Sequence, residues 1–183
     1  KLVDIAIKSG ADAVKFQTFN SKSLVTKKAP KANYQIKNTN IKENQLAMLK
    51  RLELSKNDHY ELFDYCKKKE IEFLSTPFDE ESIFFLNNLG MKRFKIPSGE
   101  INNYPYLKTI GSLNKKIILS SGMASLGEVE TALQVLIKSG TKKSNISVLH
   151  ATTEYPTLMD DVNLMAMRTI ASALKIDVGY SDH

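Results

Sequence analysis

Short apolar runs alternate with helical patterns along this chain. Six segments read as strands: "AVKFQTF" (13–19), "EFLSTPF" (72–78), "RFKIPSG" (93–99), "KIILSSG" (116–122), "SVLHATT" (147–153) and "DVGYSDH" (177–183). Residues 44–53 read as one helix. Ser55 as an N-cap, with Asp58 three residues on, predicts a second helix reaching about Lys69. Further helices are expected near 80–89, 103–112, 125–139 and 161–174, and Gly90 and Gly140 stand where C-terminal caps belong. Strand–helix alternation predicts an α/β fold with parallel strands. Residues 20–43, "NSKSLVTKKAPKANYQIKNTNIKE", break the rhythm. A loop so long and polar is either simply solvated or serves as a lid or partner-binding element.

The strands end alike. After each apolar part come small polar or ionisable groups: Gln17 and Thr18, Ser75 and Thr76, Ser98 to Glu100, Ser120 and Ser121, His150 to Thr153, Ser181 to His183. Six such ends suggest side chains converging at the carboxyl edge of a parallel sheet, where ligands bind in barrels and in open sheets. Even repetition of strand, turn and helix, without a Gly-rich dinucleotide fingerprint, favours a TIM (β/α)8 barrel with about six of its βα units here. Lys1 falls within a helical pattern and His183 directly follows a strand-like run. The first and last strands are therefore expected outside residues 1–183.

Alternation along a strand assigns faces. Lys15 and Gln17 share one face of their strand, while Val14 and Phe16 share the other; Lys95 lies opposite Phe94 and Ile96. In a barrel the apolar set packs on the helices and the other set points inward. An inward ammonium needs an anion or must give up its proton. A neighbouring carboxylate such as Glu100 could serve. Two lysines among Ser and Thr hydroxyls better suit a bound phosphate or carboxylate. His150 and His183 end strands on the presumed active edge, where either could also be structural; His59, at a polar helix start, is expected to be exposed. No pair has a tight metal-ligand spacing, and no nucleophile elbow or P-loop occurs.

Composition narrows the classes further. The 183 residues are enough for one domain with a real core, and 42% hydrophobic with 25% charged residues is ordinary for a globular protein. The formal charge of +6 fits an anionic substrate, and no Lys/Arg run is interleaved with aromatics, which disfavours nucleic acid. No apolar run reaches membrane-spanning length. The single cysteine, Cys66, follows Leu62 at helical spacing and reads as a packed thiol.

The blocks "GADAVKFQTF", "FLSTPFDEESIFFL", "FKIPSGEINNYPYL", "ILSSGMASLGEVE", "LHATTEYPTLMDDVNL" and "VGYSDH" resemble the sialic acid synthase family in order and spacing, from about Gly10 to His183. The loop "APKANYQIKNT" resembles the family's too. The resemblance implies a barrel enzyme, a transferase that condenses phosphoenolpyruvate with N-acetylmannosamine and water, giving N-acetylneuraminate and phosphate. Legionaminic acid synthases share nearly all the motifs and take a 2,4-diacetamido-6-deoxy sugar, so they are the alternative. It further implies that a divalent metal, Mn2+ or Mg2+, polarises the sugar aldehyde. By motif, Lys15, Thr76, Lys95, Ser98, Ser120 and Ser181 would hold phosphoenolpyruvate. Gln17, Glu100 and Tyr155 would lie near the sugar, and His183 would ligate the metal. Thr153 stands where some members have an asparagine touching the phosphate. The family's catalytic glutamate is expected before Lys1. A second metal histidine and an antifreeze-like domain are expected after His183. A cytoplasmic enzyme, homodimeric at full length, is expected. Outside this family, a Schiff-base aldolase or a non-catalytic sugar-binding protein are the rival readings.

Overall fold

The computed structural model describes residues 1–32, 35–36 and 43–183; part of the 20–43 segment thus lies outside the described residues. The chain divides into two compact units, Lys1–Gly90 and Met91–His183.

The first unit runs α1 (Leu2–Lys8), β1 (Ala13–Thr18), α2 (Ser21–Leu24), α3 (Gln45–Leu52), α4 (Lys56–Lys68), β2 (Glu72–Pro77) and α5 (Glu80–Leu89). Strands β1 and β2 pair in parallel, from Ala13 opposite Glu72 to Thr18 opposite Pro77. Helix α4 starts on the expected capping box: Asp58 N–H donates to Ser55 Oγ at 3.1 Å, and Ser55 N–H donates to Asp58 Oδ2 at 2.8 Å. Residues 59, 62, 63 and 66 make its inward stripe at helical spacing. Phe63 meets Phe73 edge-on at 5.6 Å, and Phe73 stacks on Phe16 at 5.4 Å. Phe16 therefore faces the helices, as alternation required. Cys66 is fully buried, as expected, and desolvation pushes its thiol pKa up, which makes it a poor nucleophile. Gly90 ends α5 in the left-handed conformation, φ 98°.

One expectation fails in this unit. His59 is buried, only 1% exposed, because it heads the inward stripe and finds non-local partners. Of the two readings left open for the 20–43 segment, simple solvation does not hold at Lys31. The Lys31 side chain is 1% exposed and pairs with Glu43 at 3.6 Å, while Arg51 holds the same carboxylate at 2.9 Å. Removing one partner from such a buried pair leaves an uncompensated charge, so the segment is anchored at this point.

The second unit runs β3 (Arg93–Ile96), a 3-10 turn (Ser98–Glu100), α6 (Tyr104–Ser112), β4 (Lys116–Ser120), α7 (Leu126–Lys138), β5 (Ile146–Ala151), α8 (Met165–Leu174) and β6 (Asp177–Ser181). Its four strands are parallel in the order β3-β4-β5-β6. Phe94, Ile96, Leu119 and Val148 occupy one face and have no exposure at all. Each such side chain contributes roughly 1.5–3 kcal/mol by leaving water. Helix α7 carries a second capping box, with Ser125 N–H donating to Glu128 Oε2 at 2.8 Å. Strand β3 stops earlier than its pattern suggested, because Pro97 has no N–H for the ladder and Ser98 to Glu100 wind into the 3-10 turn. Helix α8 begins at Met165 rather than 161. A separate 3-10 turn takes Met159–Asp161, and extended Val162 breaks the run. Among the described residues no helix is long and apolar enough to cross a membrane.

Candidate active site

Partners in a parallel register share a face. In the first unit Lys15 lies opposite Leu74, and Gln17 lies opposite Thr76. Lys15, Gln17 and Thr76 therefore stand together on the face away from Phe16. Lys15 and Gln17 are exposed, and Thr76 is 1% exposed. The Lys15 ammonium is accessible, yet the protein around it desolvates it enough to lower its pKa below the ordinary lysine value. Thr76 Oγ1 is buried without a hydrogen-bond partner. An unmade bond of this kind costs about 1–3 kcal/mol, which a ligand oxygen would offset.

The second unit carries the other predicted residues. Lys95 lies opposite Ile118, and Ser120, two residues further along β4, shares that face. The row through Ser120 runs on to Leu149 and Gly179, and Ser181 follows two residues beyond Gly179. Lys95, Ser120 and Ser181 thus line one face, opposite Phe94 and Ile96. Ser120 is 2% exposed. His150 falls on the other face, beside Tyr180 at 6.0 Å between ring centroids. It lines a cavity with residues of α7 and α8, and its Nε2 is buried without a hydrogen-bond partner. Of the two strand-end histidines, His183 contacts predicted site residues directly, Ser181 and Tyr155.

Gly122 was missed by the sequence reading, and it is where two loops meet. Its φ is +51°, and a Cβ there would stand 2.5 Å from Ser98 Oγ and 2.9 Å from Thr153 Oγ1. Only glycine fits such a crossing. The "SSG" after β4 was the available signal. Ser98 and Thr153 are thereby brought together. Glu100 accepts from Asn103 Nδ2 at 2.7 Å, and Asn103 also caps α6. That bond holds the carboxylate on the 3-10 turn.

His183 is fixed from several sides. Its Nδ1 lies 2.5 Å from the Thr152 carbonyl oxygen, which can only accept, so the proton of the neutral ring is on Nδ1. Nε2 then carries the lone pair, with Ser181 Oγ at 3.2 Å and Tyr155 Oη at 3.5 Å. Tyr155 stacks on the ring at 4.2 Å between centroids. This is the arrangement of a metal-binding imidazole, whose other nitrogen is held by a carbonyl. The chemistry fits one donor. Among the described residues no group of three or more His, Cys, Asp or Glu gathers into a fuller ligand set.

Parallel strands alternating with helices in both units define an α/β protein. The NeuB family pattern matches residues 2–183, and the chain belongs to that family. The N,N'-diacetyllegionaminic acid synthase of Campylobacter jejuni is 59% identical over 183 residues, covering 100% of this chain and 55% of that protein. The enzyme of the same name from Legionella pneumophila is 48% identical, covering 100% of this chain and 52% of that one. The chain thus spans about half the length of these curated relatives. The crystal structure of an N-acetylneuraminic acid synthetase from Leptospira borgpetersenii, in complex with citrate, superposes with a TM-score of 0.84 at 32% identity, covering 99% of this chain and 57% of that one. A truncated 3-deoxy-D-arabino-heptulosonate 7-phosphate synthase from Thermotoga maritima superposes at 0.65 with 10% identity, over 98% of this chain and 56% of that one, and shares the fold. The fold is an incomplete portion of a (β/α)8 barrel, as the sequence predicted.

Proposed function

We propose that the full-length protein is a nonulosonate synthase, which joins phosphoenolpyruvate to an acetamido sugar and water and releases phosphate. The observation that carries this reading is Thr76, a buried and unpartnered hydroxyl on the same face as Lys15 and Gln17. Such a group is retained where a ligand oxygen completes it. In the second unit Lys95, Ser120 and Ser181 line one face, and Ser98 and Thr153 meet over Gly122. Lysines and hydroxyls together suit the phosphate and carboxylate of phosphoenolpyruvate.

In this reading Lys15, Thr76, Lys95, Ser98, Ser120 and Ser181 hold phosphoenolpyruvate, with Thr153 beside the phosphate. Gln17, Glu100 and Tyr155 orient the sugar. The methylene carbon of phosphoenolpyruvate forms the new bond to the sugar's aldehyde carbon, whose oxygen becomes a hydroxyl. Water adds to the neighbouring phosphate-bearing carbon, its proton balancing that hydroxyl, and phosphate leaves as this carbon becomes a ketone. His183 would offer Nε2 to a divalent metal, Mn2+ or Mg2+, whose chemistry is to polarise the aldehyde oxygen.

The acceptor reading shifts from the one expected first. Two relatives at 59% and 48% identity bear the name N,N'-diacetyllegionaminic acid synthase, whereas the N-acetylneuraminic acid synthetase is 32% identical. This supports a 2,4-diacetamido-6-deoxy sugar over N-acetylmannosamine. Phosphate release by the full-length protein with each sugar tests the assignment. One observation favours a second reading: the lowered pKa of Lys15 would also suit a Schiff-base lysine. Borohydride trapping with pyruvate separates the two, since only the aldolase would be covalently labelled.

A further inference from the structure

We propose that His59, far from the predicted substrate contacts in sequence, is a positioning residue for Gln17 and Thr76. The inference rests on the reading of those two side chains as substrate contacts. His59 Nδ1 lies 2.8 Å from the Ser55 carbonyl oxygen. That oxygen can only accept, so in the neutral ring Nδ1 carries the proton and Nε2 the lone pair. Thr18 Oγ1 lies 2.7 Å from Nε2, so the Thr18 hydroxyl donates there. Ser75 Oγ lies 2.7 Å from Thr18 Oγ1, so Ser75 donates to Thr18. The proton directions are set along the whole chain from α4 to β1 to β2. Thr18, Ser75 and His59 are all buried, and Phe85 of α5 covers the His59 ring edge-on at 5.3 Å. Inside a protein such a chain is stiffer than its separate bonds.

Its location gives it a task. Gln17 and Thr76 are register partners; Thr18 follows the first and Ser75 precedes the second. The network holds the helix-side face of the two strands at the point where the opposite face presents the substrate contacts. Strand β2 ends at Pro77, which has no N–H, and the last ladder bond there is Phe78 N–H to the Thr18 carbonyl at 3.0 Å. Thr76 Oγ1 has no hydrogen bond of its own to aim it. Its direction depends on the backbone, and the backbone here is tied by Thr18 and Ser75 to His59. A misplacement of about 1 Å can cost on the order of 100-fold in rate.

The test compares Thr18→Val with Thr18→Ser in the full-length protein. Valine keeps the volume and removes the hydroxyl; serine keeps the hydroxyl. The Thr76 methyl and Gln17 side-chain amide resonances should shift in Thr18→Val and return in Thr18→Ser. The KM for phosphoenolpyruvate should rise about tenfold or more in the first and recover in the second, with kcat less affected. A Thr18→Val protein of lowered Tm with unshifted resonances and unchanged KM would make the network purely structural and overturn the proposal. The resonances decide it even if the wild-type protein fails to turn over these substrates, an outcome that would sink only the functional reading. Should Thr18→Val not fold, His59→Gln and His59→Leu carry the same comparison. The glutamine oxygen can accept the Thr18 proton and keep Thr76 in place, and leucine cannot. Identical resonances in those two variants would overturn the proposal equally.

Discussion

His183 donates through Nδ1 to the main-chain carbonyl of Thr152, and this bond turns Nε2 toward Ser181 and Tyr155. A ligating imidazole is fixed in the same way, through its other nitrogen. His183→Ala in the full-length protein should abolish metal-dependent turnover and leave the fold intact. Tyr155→Ala removes the stacked ring, and loss of such support typically costs about 10–100-fold in metal affinity. Mn2+ titration by calorimetry checks both. Unchanged affinity in His183→Ala would remove His183 from the metal site.

Gly122→Ala should damage the site by backbone and contact at once. The left-handed conformation costs a non-glycine residue about 1–2 kcal/mol. The added methyl would also press on Ser98 and Thr153. We expect a lower urea midpoint together with a raised KM for phosphoenolpyruvate. A stability loss with unchanged KM would separate Gly122 from the phosphate contacts.

Lys95→Ala should weaken phosphoenolpyruvate use by about 2–5 kcal/mol, the cost of stripping one partner from a desolvated charge pair. Unchanged KM and kcat would contradict that role.

Lys15 carries a pKa lowered by desolvation. The unfolded chain therefore holds that proton more firmly than the folded one. The cost of keeping Lys15 charged is full below its folded pKa and is relieved as pH rises from there toward the unfolded value. Lys15→Met should raise the stability of the substrate-free protein at neutral pH. The gain should shrink toward about pH 10, near the ordinary lysine pKa. It should be small, because the side chain is exposed. Urea midpoints across that range check it; a gain that does not change with pH would remove desolvation of Lys15 as its source.

Local signals carried most of the fold into the sequence. Ser55 with Asp58 marked the start of α4, and alternation around Lys95 separated a polar face from one that is wholly buried. What stayed hidden depends on distant partners. His59 looked exposed because its neighbours on the helix are polar, yet Thr18, 41 residues away, binds it. Nothing local marked Lys31 as buried, because its partner Glu43 is distant in sequence. Tyr155 was read from the motif as a sugar contact, and its stacking on His183 needs two loops brought together. Strand ends ran short wherever a proline or a 3-10 turn ended the ladder, as at Pro97.

The acceptor is decided most directly by phosphate release. The full-length protein, with phosphoenolpyruvate and Mn2+, would be given the 2,4-diacetamido-6-deoxy sugar and N-acetylmannosamine in parallel, and kcat/KM compared. A clear preference for the diacetamido sugar is expected. Preference for N-acetylmannosamine would return the assignment to N-acetylneuraminate synthesis, and no phosphate from either sugar would contradict the synthase reading itself.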